Sequence, residues 1–339
     1  MDAARLRVPV FSVAIALGVL SISACRVTDL RLWAPPQSAE SLYKVEKIKD
    51  IDYSGDPKAD PHRHRLDLFL PRGVKDFPVV VLVHGGVWLI GDNRCCGLYS
   101  SVGEFLASRG IGAVLPNYRL SPGVKHPEHI KDVARAFAWT RNHISEYGGR
   151  PDQLFVAGHS AGGHLVALLA TDERYLKAEG LSVQDVKGVI GISGVYRIPP
   201  GNVDFRLGGA TPVSFRLDEL APLRKANDPG PLLAGGSGIP LSVNVFGPAF
   251  GDDPAVRRDA SPINHVRPGL PPFLIITASH DLPTINTQAD ELHEALRAQA
   301  CEAQRLRASD RNHQSIMFMA VEETDPVGHA IVEFVQRHQ

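Results

Sequence analysis

The 339-residue chain sets 36 Lys and Arg against 37 Asp and Glu, is 44% hydrophobic and 22% charged, and has four cysteines. A net charge of −1, with no basic run, argues against a protein whose main partner is nucleic acid, because binding the phosphate backbone needs a clear basic surplus. The length suits one large α/β domain or two ordinary ones, each able to bury a core, and so excludes disorder for the bulk of the chain.

At the amino end, Arg5 and Arg7 lead into an apolar run over 8–20, followed by Ser21, Ser23 and Ala24 before Cys25. The run falls short of the roughly 20 residues that span a bilayer and has the form of a secretory signal peptide. Ile22-Ser23-Ala24-Cys25 resembles a bacterial lipobox, in which cleavage precedes the cysteine and its thiol carries lipid. The expectation is an exported, periplasmic lipoprotein held to the membrane through Cys25, with 1–24 removed, 25–42 a linker and 43–339 the catalytic domain. A plain signal peptide cut nearby, an uncleaved anchor, or a cytosolic chain with an apolar start are the alternatives. Cys95, Cys96 and Cys301 have no metal-ligand spacing; they are read as free thiols, with a Cys96–Cys301 bridge left open.

Beyond the linker, short apolar runs at 66–70, 79–84, 113–118, 154–158, 189–193 and 273–278 read as strands of a parallel sheet covered on both faces. Between them Ile130, Val133, Ala134, Phe137, Ala138 and Ile144 recur at helical spacing. Leu165, Leu168 and Leu169 follow Gly162 in the same way, as do Leu292 and Leu296 after Pro283. Alternating strands and helices imply an α/β fold with a mostly parallel, doubly wound sheet. The stretch 199–253 breaks the rhythm with Gly208-Gly209, Pro229-Gly230-Pro231 and Gly235-Gly236-Ser237-Gly238. Such a length without periodicity is unusual inside a compact domain, so it is read as a cap-like insertion, helical around 214–225; a loop without a role is the alternative.

The chemistry concentrates at Gly158-His159-Ser160-Ala161-Gly162, a G-x-S-x-G between a strand and a helix. There a serine sits in a strained turn that lifts its hydroxyl above the sheet. A serine hydroxyl needs a base, and the base an orienting acid. Asp281, just past the 273–278 strand, is the expected acid and His313 the expected base, in the chain order Ser, Asp, His. Asp310 is a less suitable acid, three residues from His313. His329, at the start of the last helix, is the competing base, and His280 is read as structural. His84-Gly85-Gly86-Val87-Trp88 follows the second apolar strand. Gly85, Gly86 and Ala161 are expected to offer amides to a tetrahedral oxyanion, and His84 to brace the loop. Trp88 either walls an acyl pocket or belongs to the core. His62-Arg63-His64 lacks partners for a metal set and reads as surface. No cofactor, metal or phosphate loop is implied.

His84-Gly85-Gly86, Asn117-Tyr118-Arg119-Leu120-Ser121-Pro122, Gly158 to His164, the stretch from Ala260-Ser261-Pro262 to Asp281, and Leu66-Asp67-Leu68-Phe69-Leu70-Pro71 together resemble α/β-hydrolase carboxylesterases of the hormone-sensitive-lipase-like group. Within that group they are most similar to the branch of kynurenine formamidases, isoprenylcysteine methylesterases and polysaccharide acyl esterases. The resemblance implies an α/β-hydrolase fold and a small-molecule ester substrate cleaved by a serine esterase. It makes Ser160 the nucleophile, Asp281 the acid, His313 the base and Gly85, Gly86 and Ala161 the oxyanion donors. Arg197 stands where the family commonly has an acidic residue, and 199–253 exceeds its usual connection. Amide hydrolysis of the arylformamidase type, and a non-catalytic lipoprotein using the fold to bind, are the rival readings.

Overall fold

Seven consecutive apolar residues, Phe77–Val83, leave no face of their strand for water, and all seven are buried. Alternate side chains enter different cores: Val79, Val81 and Val83 pack on one side of the sheet, Val80 and Leu82 on the other. This strand is central to an eight-stranded sheet seen in the computed structural model, which describes residues 42–57, 59–201, 203–207, 214–216 and 239–339. The signal segment, Cys25 and most of the linker lie outside the described residues.

In chain order the strands are β1 (Val45–Asp52), β2 (Arg65–Pro71), β3 (Phe77–Val83), β4 (Gly112–Pro116), β5 (Gly149–His159) and β6 (Gly188–Ile192). After them come β7 (Val203–Leu207), β8 (Ser214–Arg216), β9 (Ile239–Val243), β10 (Phe273–His280) and β11 (Ala303–Asn312). The large sheet runs β1-β2-β4-β3-β5-β6-β10-β11. From β4 to β11 every neighbouring pair is parallel. One expectation is corrected: β2, read as a parallel strand, pairs antiparallel with both β1 and β4.

Five helices of ten or more residues cover the sheet among the described residues: α1 (Leu98–Ser108), α2 (Glu128–His143), α3 (Ala161–Thr171), α4 (Ile285–Ala298) and α5 (Pro326–Arg337). Val102 and Phe105 of α1 and Ile331 and Phe334 of α5 join the core on one face. Val133 and Phe137 of α2, Leu165 and Leu168 of α3, and Leu292 and Leu296 of α4 join the core on the other. A parallel sheet wrapped on both faces leaves the carboxyl ends of its strands as the open edge, where ligands bind in such folds. Among the described residues no helix is long and apolar enough to cross a membrane.

The inserted segment differs from its expected form. Its described parts include three short strands, β7 pairing antiparallel with β8 and with β9, and a four-residue helix over Gly247–Phe250. Ser214–Arg216 is therefore extended where a helix was expected; 217–225 lies outside the described residues. Arg257, 1% exposed, clasps the two ends of the segment. Its guanidinium donates to the carbonyls of Pro199 and Gly201 on one side (2.8 Å each) and to the Gly251 carbonyl (2.8 Å) and Asn244 Oδ1 (2.6 Å) on the other. Spreading a buried cation over backbone acceptors satisfies donors that would be costly unpaired.

His64, read as surface, is also corrected. It is 5% exposed, and its Nε2 donates to Asp132 Oδ1 (3.1 Å). Asp132 takes a bidentate pair from Arg119 as well, at 2.8 and 2.7 Å. Burial opposes the Asp132 charge, but these hydrogen bonds prevail and hold its pKa at about 2 against an ordinary 3.8. A depressed carboxyl stabilises the fold above its unfolded value and loses that contribution as pH falls through the folded one. Asp132→Asn is thus expected to cost about 2 kcal/mol at pH 7. The deficit should shrink between pH 4 and pH 2 in denaturant melts; a deficit independent of pH would contradict this origin.

Candidate active site

Ser160 stands between β5 and α3 at φ 55°, ψ −118°, a left-handed conformation that non-glycine residues adopt only when the surroundings impose it. Here they do. Its N–H donates to the Ile192 carbonyl at the end of β6 (2.9 Å), and its own carbonyl accepts the His164 N–H of α3 (3.1 Å). The flanking glycines are required by close approach: a Cβ on Gly162 would strike the Val83 carbonyl, and one on Gly158 the Gly162 carbonyl. The turn thus sets the serine hydroxyl at the carboxyl edge of the sheet. That hydroxyl has no hydrogen bond to any described residue.

Asp281 and His313 follow β10 and β11, the strands beyond β6, so the three side chains rise from one edge. His313 Nδ1–H donates to Asp281 Oδ1 at 2.7 Å, which fixes the ring's tautomer and leaves a lone pair on Nε2. The carboxylate receives three further donors: Ser193 Oγ–H (2.5 Å) and the Ala278 N–H (3.0 Å) on Oδ2, and the Leu282 N–H (2.8 Å) on Oδ1. Burial alone would raise the Asp281 pKa, but the bonds from His313, Ser193 and Ala278 bring it below the ordinary value.

The rejected alternatives occupy other surroundings. Asp310 is exposed at φ 54°, and no bond joins it to His313. His329 is exposed in the first turn of α5, and His280 also faces solvent. His84 is fully buried, stacked on Tyr118 with centroids 4.3 Å apart, and donates from Nδ1 to the Gly85 carbonyl (2.7 Å). Burial lowers its pKa to about 4, keeping the brace neutral. Arg197 pairs with Glu291 at 3.2 Å.

One expectation at this site changes, and two alternatives left open are decided. First, the Gly85 N–H is occupied, donating to Tyr99 Oη at 2.7 Å, so Gly85 cannot serve as an oxyanion donor as expected. The N–H groups of Gly86 and Ala161 carry no bond to a described residue, and Gly85 instead supplies close packing: a Cβ there would lie 2.9 Å from the His159 carbonyl and 3.1 Å from Ser160 Cβ. Second, Trp88 is 1% exposed. It packs edge-on against His164 (5.1 Å) and Phe250 (4.8 Å), and so belongs to the core. Third, Cys95, Cys96 and Cys301 are free; Cys95 and Cys96 are exposed, whereas Cys301 is buried and points its thiol at the Arg267 carbonyl (3.3 Å). Cys96 and Cys301 form no bridge.

Two residues here escape sequence reading. Ser193, fully buried at φ 47° just after β6, supplies the shortest bond to Asp281. Its position one residue beyond an apolar strand was the available signal. His159, the variable residue of the serine motif, donates from Nε2 to the His313 carbonyl at 2.8 Å. Elsewhere Asp172, Asp259 and His265 could geometrically surround a cation. Arg174 already bridges the two carboxylates at 2.5 and 2.8 Å, so the cluster is an ion pair.

Residues 66–198 match the BD-FAE family model. The chain is 34% identical over 229 residues to the esterase LipC of Mycobacterium tuberculosis, covering 66% of this chain and 49% of that protein. It is 37% identical over 146 residues to the isoprenylcysteine alpha-carbonyl methylesterase ICME of Arabidopsis thaliana, covering 41% of this chain and 33% of that protein. The chain thus spans about half or less of the length of these relatives. Esterase B from Lactobacillus rhamnosis superposes with a TM-score of 0.65 at 20% identity, covering 96% of this chain and 94% of that one. A truncated carbohydrate esterase from gut microbiota gives 0.65 at 18%, covering 89% and 98%. At these identities the structures speak for the fold, which is that of the α/β-hydrolases. Fold, motif match and relatives agree on one description: the chain has the α/β-hydrolase fold and is similar, over the part they share, to BD-FAE proteins and to esterases.

Proposed function

We propose that the protein is a serine esterase that cleaves carboxylic esters through an acyl-enzyme on Ser160. The observation that carries this reading is the Asp281–His313 pair at 2.7 Å, raised on the same strand edge as a serine held at φ 55°. His313 Nε2 takes the Ser160 proton as Oγ attacks the ester carbonyl. The tetrahedral oxyanion rests on the N–H groups of Gly86 and Ala161, which are preorganised and cost no rearrangement when charge develops. Asp281 stabilises the imidazolium, which then protonates the departing alcohol. Water attacks the acyl-enzyme with His313 again as base, and Ser160 leaves with its proton restored.

The names of the relatives, an esterase and a methylesterase, favour esters over amides, since an amide needs fuller protonation of a worse leaving group. A short p-nitrophenyl ester is therefore expected to show a higher kcat/KM than N-formylkynurenine. The reverse order would make the protein an amide hydrolase. Export and lipidation at Cys25 are part of the same proposal, supported by Arg5, Arg7, the apolar run and Ile22-Ser23-Ala24-Cys25. One acyl group alone binds membranes weakly, and two or more hold firmly. Cys25→Ser should move the protein from the membrane fraction to the soluble one; unchanged membrane association would contradict lipid anchoring.

A further inference from the structure

A buried chain of three hydrogen bonds runs beneath Ser160. The Gly85 N–H donates to Tyr99 Oη (2.7 Å), Tyr99 lies 3.2 Å from His159 Nδ1, and His159 Nε2 lies 2.8 Å from the His313 carbonyl. Its direction is fixed by what each group can do. A backbone carbonyl only accepts, so Nε2 of His159 must hold the ring proton and Nδ1 must accept. Tyr99 Oη, having accepted from an amide, donates its own proton to Nδ1. Burial lowers the His159 pKa to about 3, so the ring keeps this single neutral tautomer at working pH. Tyr99 and His159 are 5% and 4% exposed, which spares the chain competition from water.

Neither residue has a polar atom left for an acyl group at Ser160: Tyr99 Oη is engaged by Gly85 and His159, and the two ring nitrogens of His159 by Tyr99 and the His313 carbonyl. We infer that Tyr99 and His159 are positioning residues that lock the oxyanion loop to the loop carrying the base, holding the Gly86 amide and the His313 imidazole in register across Ser160. The chain begins on the residue before one oxyanion donor and ends on the backbone of the base itself. Gly85 also lies against the His159 carbonyl, so loop, nucleophile turn and base move as one body. A displacement of about 1 Å between such parts can cost about 100-fold in rate.

This inference rests on the esterase reading, and its test separates the two. Active sites of the full-length protein, of Tyr99→Phe and of His159→Leu are counted by fluorophosphonate titration, and kcat on p-nitrophenyl acetate is expressed per titrated site. Each variant is expected to lose about 10- to 100-fold in kcat per site, with KM within about twofold of wild type. The double variant should be no slower than the worse single one, because a chain already broken cannot be broken again. His159→Gln, whose amide can both accept from Tyr99 and donate to the His313 carbonyl, should recover most of the rate. If a variant lowers only the melting temperature and the titratable fraction, or if the two losses multiply, the relay is overturned. Tyr99→Phe removes one oxygen and keeps the ring, so it supplies the decisive comparison even where His159→Leu fails to fold. A wild-type protein with no titratable site would instead overturn the esterase reading.

Discussion

Ser160→Ala is expected to lower kcat on a short p-nitrophenyl ester by about 10⁶-fold, the scale on which losing a serine nucleophile acts. The stability of the protein should hardly change. The hydroxyl has no hydrogen bond to a described residue, so its removal leaves no buried partner unpaired. The backbone bonds that fix the turn, to Ile192 and from His164, belong to the main chain and survive. Alanine meets the left-handed φ of 55° at a cost like that of serine. Kinetics paired with a thermal melt check both halves, and a folded Ser160→Ala protein with undiminished turnover would remove the serine from the mechanism.

Asp281→Asn is expected to lower kcat by about 10⁴-fold, the size of the same change in a serine-protease triad. Four donors converge on this carboxylate, two on each oxygen. An amide must turn its NH2 toward one of the two pairs. Facing Oδ2's partners, it would strand the Ala278 N–H. Facing Oδ1's partners, it confronts the Leu282 N–H, next to an exposed side chain, and His313, which can respond by moving its proton from Nδ1 to Nε2. The second arrangement is the cheaper, and it leaves His313 unable to accept the Ser160 proton. Asp310→Asn supplies the contrast: exposed and unconnected to His313, it should leave kcat unchanged. A loss confined to Asp310 variants would reassign the acid.

The central strands and the serine turn were legible because their physics is local. A strand covered on both faces must be apolar throughout, as Phe77–Val83 is, and a turn squeezed between Val83 and Gly194 must be glycine at Gly162 and Gly163. The two edge strands of the large sheet were not legible. β1 and β11 lie at the sheet edges with nearly every residue half-buried or exposed, so their largely polar sequences carry no continuous apolar run. Antiparallel pairing of β2 also escaped, since burial on both faces gives the same composition in either direction. Within the site, the order of Ser160, Asp281 and His313 followed from chain position. The diversion of the Gly85 amide to Tyr99, the bond from Ser193 and the burial of Trp88 depend on side chains from different strands and helices meeting, which no spacing in the chain encodes. His64 was misread for the same reason: its partner Asp132 lies on α2, 68 residues away.

The acyl-enzyme on Ser160 is tested most directly by reacting the folded protein with a fluorophosphonate probe and mapping the modified peptide by mass spectrometry. A single modification at Ser160 is predicted, absent in Ser160→Ala and much slower in His313→Ala, where no base takes the hydroxyl proton. Folded protein that takes up no probe, or takes it up at another residue while ester turnover persists, would contradict the account.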